Sequence, residues 1–120
     1  MDRNKTGSAF PSYRIDENIE PPSSSHLEIV EAAKEFLNQN LASDISLYEI
    51  SRYCCTSAFH FARIFKRLTS YSPHQYLLGI RLTHGEMMLK NTGLPISDIS
   101  YSSGFSSVGY FATALRQSMG

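Results

Sequence analysis

The chain contains no apolar run of eighteen residues and no segment patterned like a signal peptide, so it is read as soluble and not exported. Cysteine is scarce. Cys54 and Cys55 are the only two, and they are adjacent, a spacing that ordinary disulfide geometry disfavours. Two cysteines cannot build a disulfide scaffold, which points to the reducing cytoplasm and to small packing residues rather than a redox or metal pair. The four histidines, His26, His60, His74 and His84, lack metal-ligand spacing, and no metal or other cofactor is expected. The most informative absence is one sign of charge. Residues 51–85 contain no aspartate or glutamate at all.

The same segment holds five bases, Arg52, Arg63, Lys66, Arg67 and Arg81. Residues 1–50 carry nine acids against four bases, and residues 86–120 carry two of each, so the net charge of zero conceals a polarised chain. A basic block of this kind is the footprint of a nucleic-acid-binding surface, although a short run of bases is more often a solvated helix face. With 120 residues, 42% of them hydrophobic, the chain can bury one modest core or two very small ones that share a connecting element.

Residues 1–25 are polar, contain Pro11, Pro21 and Pro22, end in three serines and show no hydrophobic period. They read as a disordered tail or linker ahead of a folded domain over 26–120. From His26 the positions Leu27, Val30, Ala33, Lys34, Phe36, Leu37 and Leu41 approximate a helical stripe that runs to about Asn40. Ser46 caps a second helix carrying Leu47, Ile50 and Tyr53, and Thr56 or Ser57 caps a third that buries Phe61, Ile64, Phe65 and Leu68. Ser72-Pro73 starts a long helix to about Asn91, ended by Thr92-Gly93. Gly85 in its interior costs about 1 kcal/mol relative to alanine and is read as a close helix crossing. Ser97 caps a short helix, Gly104 makes a turn, and Ser106 or Ser107 caps a last helix through Ser118.

Two of these stretches are copies. FARIFKR begins at Phe61 and FATALRQ at Phe111, and each follows an Ile-Ser pair, Ile50-Ser51 and Ile99-Ser100. The Ile-Ser pairs are 49 apart and the Phe-Ala pairs 50, so the second copy carries one extra residue in its turn. A repeat at this period is a supersecondary unit used twice. The expected fold is all-α: two helix-turn-helix units, at about 46–69 and 97–118, joined by a linker helix at about 73–91.

A helix-turn-helix lays its second helix in the major groove, and two in one chain reach successive grooves when they stand about 34 Å apart. A linker of roughly nineteen residues spans about 28 Å, so no dimer is needed. In the first unit Arg63 suits guanine, Phe59 suits a thymine methyl or a capping contact against Tyr53, and Lys66 and Arg67 suit phosphates. In the second unit Ser106, Ser107, Val108, Gly109, Ala112 and Thr113 form the exposed face, with Arg116 its one base. Serine hydroxyls (Ser57 in the first unit, Ser106 and Ser107 in the second) and helix amides can hold phosphates there, but little can read a base edge.

Over residues 44–120 the strings SAFHFARIFKRLTSYSPHQYLLGIRL and ISDISYSSGFSSVGYFATALRQSMG resemble the DNA-binding domain of the AraC/XylS family of bacterial transcription regulators. The resemblance implies a DNA-binding regulator that activates transcription, with double-stranded DNA as partner and RNA polymerase as a further candidate. It places base-reading positions on Phe59, Ala62 and Arg63 in the first unit and on Val108, Gly109, Ala112 and Thr113 in the second. Arg81 matches the family's arginine in the linker helix. Three departures stand out. Cys55 replaces the glycine usual in the first turn, so a different turn is expected there. Thr113 and Gln117 replace basic residues, which weakens expected readout by the second unit. The family's short Thr-Pro-led segment beyond Gly120 is absent, and only a 25-residue tail precedes the domain, so the expectation is a stand-alone regulator or an excised or truncated domain.

Rival readings are weaker. GFSSVG from Gly104 resembles a serine-hydrolase elbow but has the wrong spacing and no preceding strand, so no enzyme is expected. The alternative is a degenerate family member that binds a protein in place of specific DNA.

Overall fold

The computed structural model describes residues 24–119; the expected tail lies outside that range except for Ser24 and Ser25. Among the described residues the chain is all-α, with six helices: α1 (Ser24–Gln39), α2 (Leu47–Tyr53), α3 (Ala58–Thr69), α4 (Pro73–Asn91), α5 (Ile96–Ser102) and α6 (Val108–Met119). No helix among these residues is long and apolar enough to cross a membrane.

Local chemistry explains most helix starts. At α2 the Glu49 amide donates to Ser46 Oγ (3.1 Å) and the Ser46 amide donates to Glu49 Oε1 (2.9 Å), a closed capping box. Ser72 and Gln75 repeat that box at α4, with Pro73 in the first turn. Ser57 caps α3 by accepting from the His60 amide, and Ser107 does the same for the Tyr110 amide at α6. One expectation fails: Ser97 does not cap α5 but lies inside its first turn. Pro95, extended at ψ 150°, is the N-cap and makes no side-chain cap bond; its carbonyl accepts the Ile99 amide at 3.1 Å. The proline ring fixes φ and so sets the helix entry before Ser97 can.

The helices pack around two separate cores. Val30, Ala33 and Leu37 of α1, Ile45, Ile50 of α2, and Phe61, Ile64 and Phe65 of α3 bury together with Leu77 of α4. Leu27, expected on that stripe, stands exposed, and Ile29 packs against the core instead. The second core is smaller, built from Ile99, Phe105, Phe111 and Ala114. Helix α4 serves both. Tyr76, Leu77 and Ile80 face the first core, whereas Leu78, Leu82 and Met88 face the second. At 3.6 residues per turn Leu78 and Leu82 lie on a different side of the cylinder from Tyr76, Leu77 and Ile80, whereas Met88 shares the side of Leu77 about three turns further along. Met87 is exposed. Gly85 is the close crossing that was expected: a Cβ there would stand 2.6 Å from the Phe111 ring.

The two turns are chemically the same structure. In the first, the amides of Cys54, Cys55 and Thr56 donate to the carbonyls of Ile50, Arg52 and Ser51; in the second, those of Ser103, Gly104 and Phe105 donate to Ile99, Tyr101 and Ser100. Every partner is displaced by 49, and the caps Ser57 and Ser107 by 50, so the extra residue falls between Gly104 and the second cap. Cys55 does not alter the turn, contrary to expectation. It adopts φ 59° where Gly104 has φ 94°, so the same turn forms with a non-glycine residue in the left-handed region. Nor is Cys55 a packing residue, because its side chain is exposed. Cys54 alone packs, its thiol directed at the Ile29 carbonyl (3.6 Å) and its pKa pushed up to about 11 by burial and by Cys55.

A left-handed residue with a side chain is strained by about 1–2 kcal/mol, partly offset by the greater unfolded-state entropy of glycine. Cys55→Gly is therefore expected to raise stability by about 0.5–1 kcal/mol, read from urea denaturation midpoints. A loss of stability would mean that the exposed thiol makes a contact worth more than the strain.

Candidate nucleic-acid interface

Helix α3 buries Phe61, Ile64 and Phe65 completely, which forces residues at 59, 63 and 66 onto the opposite side. Phe59 is 73% exposed, and the Arg63 guanidinium carbon lies 5.4 Å from its ring centroid. Tyr53 packs on Phe36 (4.8 Å between centroids) rather than on Phe59. The capping contact considered for Phe59 is thus replaced by a cation–π contact within α3, a favourable pairing of about 0.5–1 kcal/mol at an exposed site. It holds the guanidinium close to the N-terminal half of the helix. Ala62 is half-buried beside it, and Lys66 is exposed one turn on. Arg67 is half-buried, and burial lowers its pKa from the usual arginine value. Burial, with the nearby Arg63 charge second, lowers that of His60.

The surface of α6 differs in chemistry. Ser106, Ser107, Gly109, Thr113, Arg116 and Gln117 are exposed, and Val108 and Ala112 are half-buried. Ser57 and Ser107 each use a hydroxyl lone pair as a helix cap, which leaves the hydroxyl proton to donate outward. Ser106 makes the extra residue of the second turn and is exposed.

Four of the five bases in the acid-free segment sit on α2 and α3: Arg52, whose guanidinium lies 5.6 Å over the Tyr48 ring, with Arg63, Lys66 and Arg67. The fifth is turned inward. Arg81 donates from Nε to the Leu41 carbonyl and from a terminal nitrogen to the Ser43 carbonyl, both at 2.8 Å. Its inward role has no local sequence signal, since its partners lie 38 and 40 residues away. His84 and Ser103, 2.9 Å apart between Nδ1 and Oγ, are a second pairing that spacing does not reveal. Among the described residues no group of three or more His, Cys, Asp or Glu could hold a metal ion.

A family model described as a helix-turn-helix domain matches residues 50–120. The chain belongs to the AraC-type helix-turn-helix family. Among its relatives, the HTH-type transcriptional regulator ArgR of Pseudomonas aeruginosa is 34% identical over 97 residues, 81% of this chain. The chain spans only 29% of that relative's length. An AraC-type DNA-binding-domain regulator from Chromobacterium violaceum superposes with a TM-score of 0.74 at 25% identity, covering 81% of this chain and 87% of the other. The DNA-binding domain of AdpA, a global transcriptional factor solved with a target DNA, shares the fold, with a TM-score of 0.70 at 21% identity over 77% of this chain and 82% of its own. Membership in the AraC-type family makes the six helices a DNA-binding domain of transcription regulators. Within it, Thr113 and Gln117 stand exposed where the family resemblance leads one to expect basic side chains.

Proposed function

We propose that the chain is a sequence-specific regulator of transcription that sets α3 and α6 into successive major grooves on one side of a duplex. The observation that carries the reading is the pair of turns with matching hydrogen bonds, each delivering a serine-capped helix with an exposed outer face, the first of them basic. The 19 residues of α4 span about 28 Å between the two units, and the flanking turns bring this toward the roughly 34 Å between successive grooves. A monomer therefore suffices. Arg63, Phe59 and Ala62 are assigned to base edges in the first groove, and Val108, Gly109, Ala112 and Thr113 in the second. Lys66, Arg67, Arg116 and the hydroxyls of Ser57, Ser106 and Ser107 are assigned to phosphates. Activation through RNA polymerase in the cytoplasm, with no catalytic step, completes the reading.

The deciding experiment is binding to duplex DNA across a salt series. A protein that neutralises phosphates shows a steep linear fall of log affinity with log salt. Lys66→Ala and Arg67→Ala should each reduce that slope by roughly one unit and weaken all sequences alike. A flat salt response in the parent chain would favour the protein-binding alternative, in which the weakly basic α6 face meets another protein.

A further inference from the structure

Among the described residues, the most extensive packing between helices lies within one unit or involves α4. A single helix is a poor clamp, because the units at its two ends can still rock about it. Three segments nevertheless converge at its middle. Arg81 reaches from α4 to the Leu41 and Ser43 carbonyls, which follow the C-terminal end of α1 in the first unit. That end is the negative pole of the α1 dipole, where a cation is favoured. From the other side the turn of the second unit closes on the same arginine. A Cβ at Gly104 would stand 2.5 Å from Arg81 Nε, 3.0 Å from its Cδ and 2.6 Å from the Leu41 carbonyl oxygen. Gly104 thus serves two needs, a left-handed φ and room for the arginine.

We infer that Arg81 is a positioning residue that locks the two helix-turn-helix units into one relative orientation, and thereby sets the separation of the two DNA half-sites that the chain accepts. The clause on half-sites rests on the DNA reading above; the clause on orientation does not. The planar guanidinium fork bonds two carbonyls at once, so it resists rotation as well as separation. Burial lowers the Arg81 pKa, an effect that Tyr110 and Asp44 nearby oppose, and the side chain remains a cation at neutral pH. A rigid pair of binding units gains effective concentration at one spacing only, whereas a loose pair tolerates several.

The test uses the full chain and Arg81→Met, which keeps the stem and removes both donors. Residual dipolar couplings of the free protein should fit one alignment tensor for both units in the parent and two different tensors in Arg81→Met. On duplexes whose half-site spacing is varied by single base pairs, the parent should show a sharp optimum. In Arg81→Met affinity at that optimum should fall about tenfold and the profile should flatten, with affinity for the first half-site alone changed less than about twofold. Arg81→Lys, which keeps the charge but bonds one carbonyl at a time, should lie between and covers the case in which the methionine variant fails to fold. A single tensor in the folded variants, or an unchanged spacing profile, would overturn the inference. If the parent binds no duplex at any salt, the DNA reading fails while the tensors still decide the orientation.

Discussion

Phe111→Ala should cost the second helix-turn-helix about 3–5 kcal/mol and melt α5 and α6 while α1 to α3 stay folded. The ring is fully buried, lies tilted on Phe105 at 5.0 Å between centroids, and fills the space above Gly85. Gly85 has no side chain that could relax into the void. The core around it consists of only Ile99, Phe105 and Ala114, with Leu78, Leu82, Met88 and Leu115 at its edge. So small a core leaves a margin of only a few kcal/mol, comparable to the loss. The first unit has its own core, centred on Phe61, Ile64 and Phe65, and meets the second at α4 and where Gly104 closes on Leu41 beside Arg81. Amide hydrogen exchange read residue by residue checks this: protection should vanish over 96–119 and persist over 27–69. Equal loss in both halves would mean that α4 couples the cores into one cooperative unit.

Arg63→Ala should cost about 1–3 kcal/mol on the preferred site and relax preference at one or two base pairs. Between α3 and α6, α3 alone presents an arginine in its N-terminal half, and the contact with Phe59 holds that donor before DNA arrives. Less side-chain entropy is then lost on binding. The N-terminal half of α6 offers hydroxyls and small apolar groups, which discriminate bases less well than arginine does, and its one arginine, Arg116, lies in the last turn. The half-site under α6 should accordingly tolerate substitution, with groove shape mattering more than base identity, and Thr113→Arg should tighten and sharpen it. Randomised-site selection on each half-site separately gives the answer. If the α6 half-site is as constrained as the α3 half-site, then Val108 or Thr113 reads bases directly and the two helices are equals.

Features formed within a few residues of chain were legible in the sequence. The serine caps at 46, 57, 72 and 107 bond to amides three residues on, and the apolar stripe of α3 repeats at the helical period. The doubling of the unit was legible too, because a 49- and 50-residue displacement preserves both turns and faces. Ser97 misled because a serine ahead of an apolar pair resembles a cap, whereas Pro95 had already set the entry.

By itself, then, the amino-acid sequence determined the six helices, the two turns, the basic outer face of α3 and the poor one of α6. Tertiary structure decided the rest. It turns Arg81 away from the basic surface and toward the carbonyls of Leu41 and Ser43, and seats Phe111 against Gly85. The reason is distance along the chain. Contacts across three or four residues repeat with the helix and leave a period in the sequence, while contacts across 26 to 40 residues depend on how α4 brings two cores together.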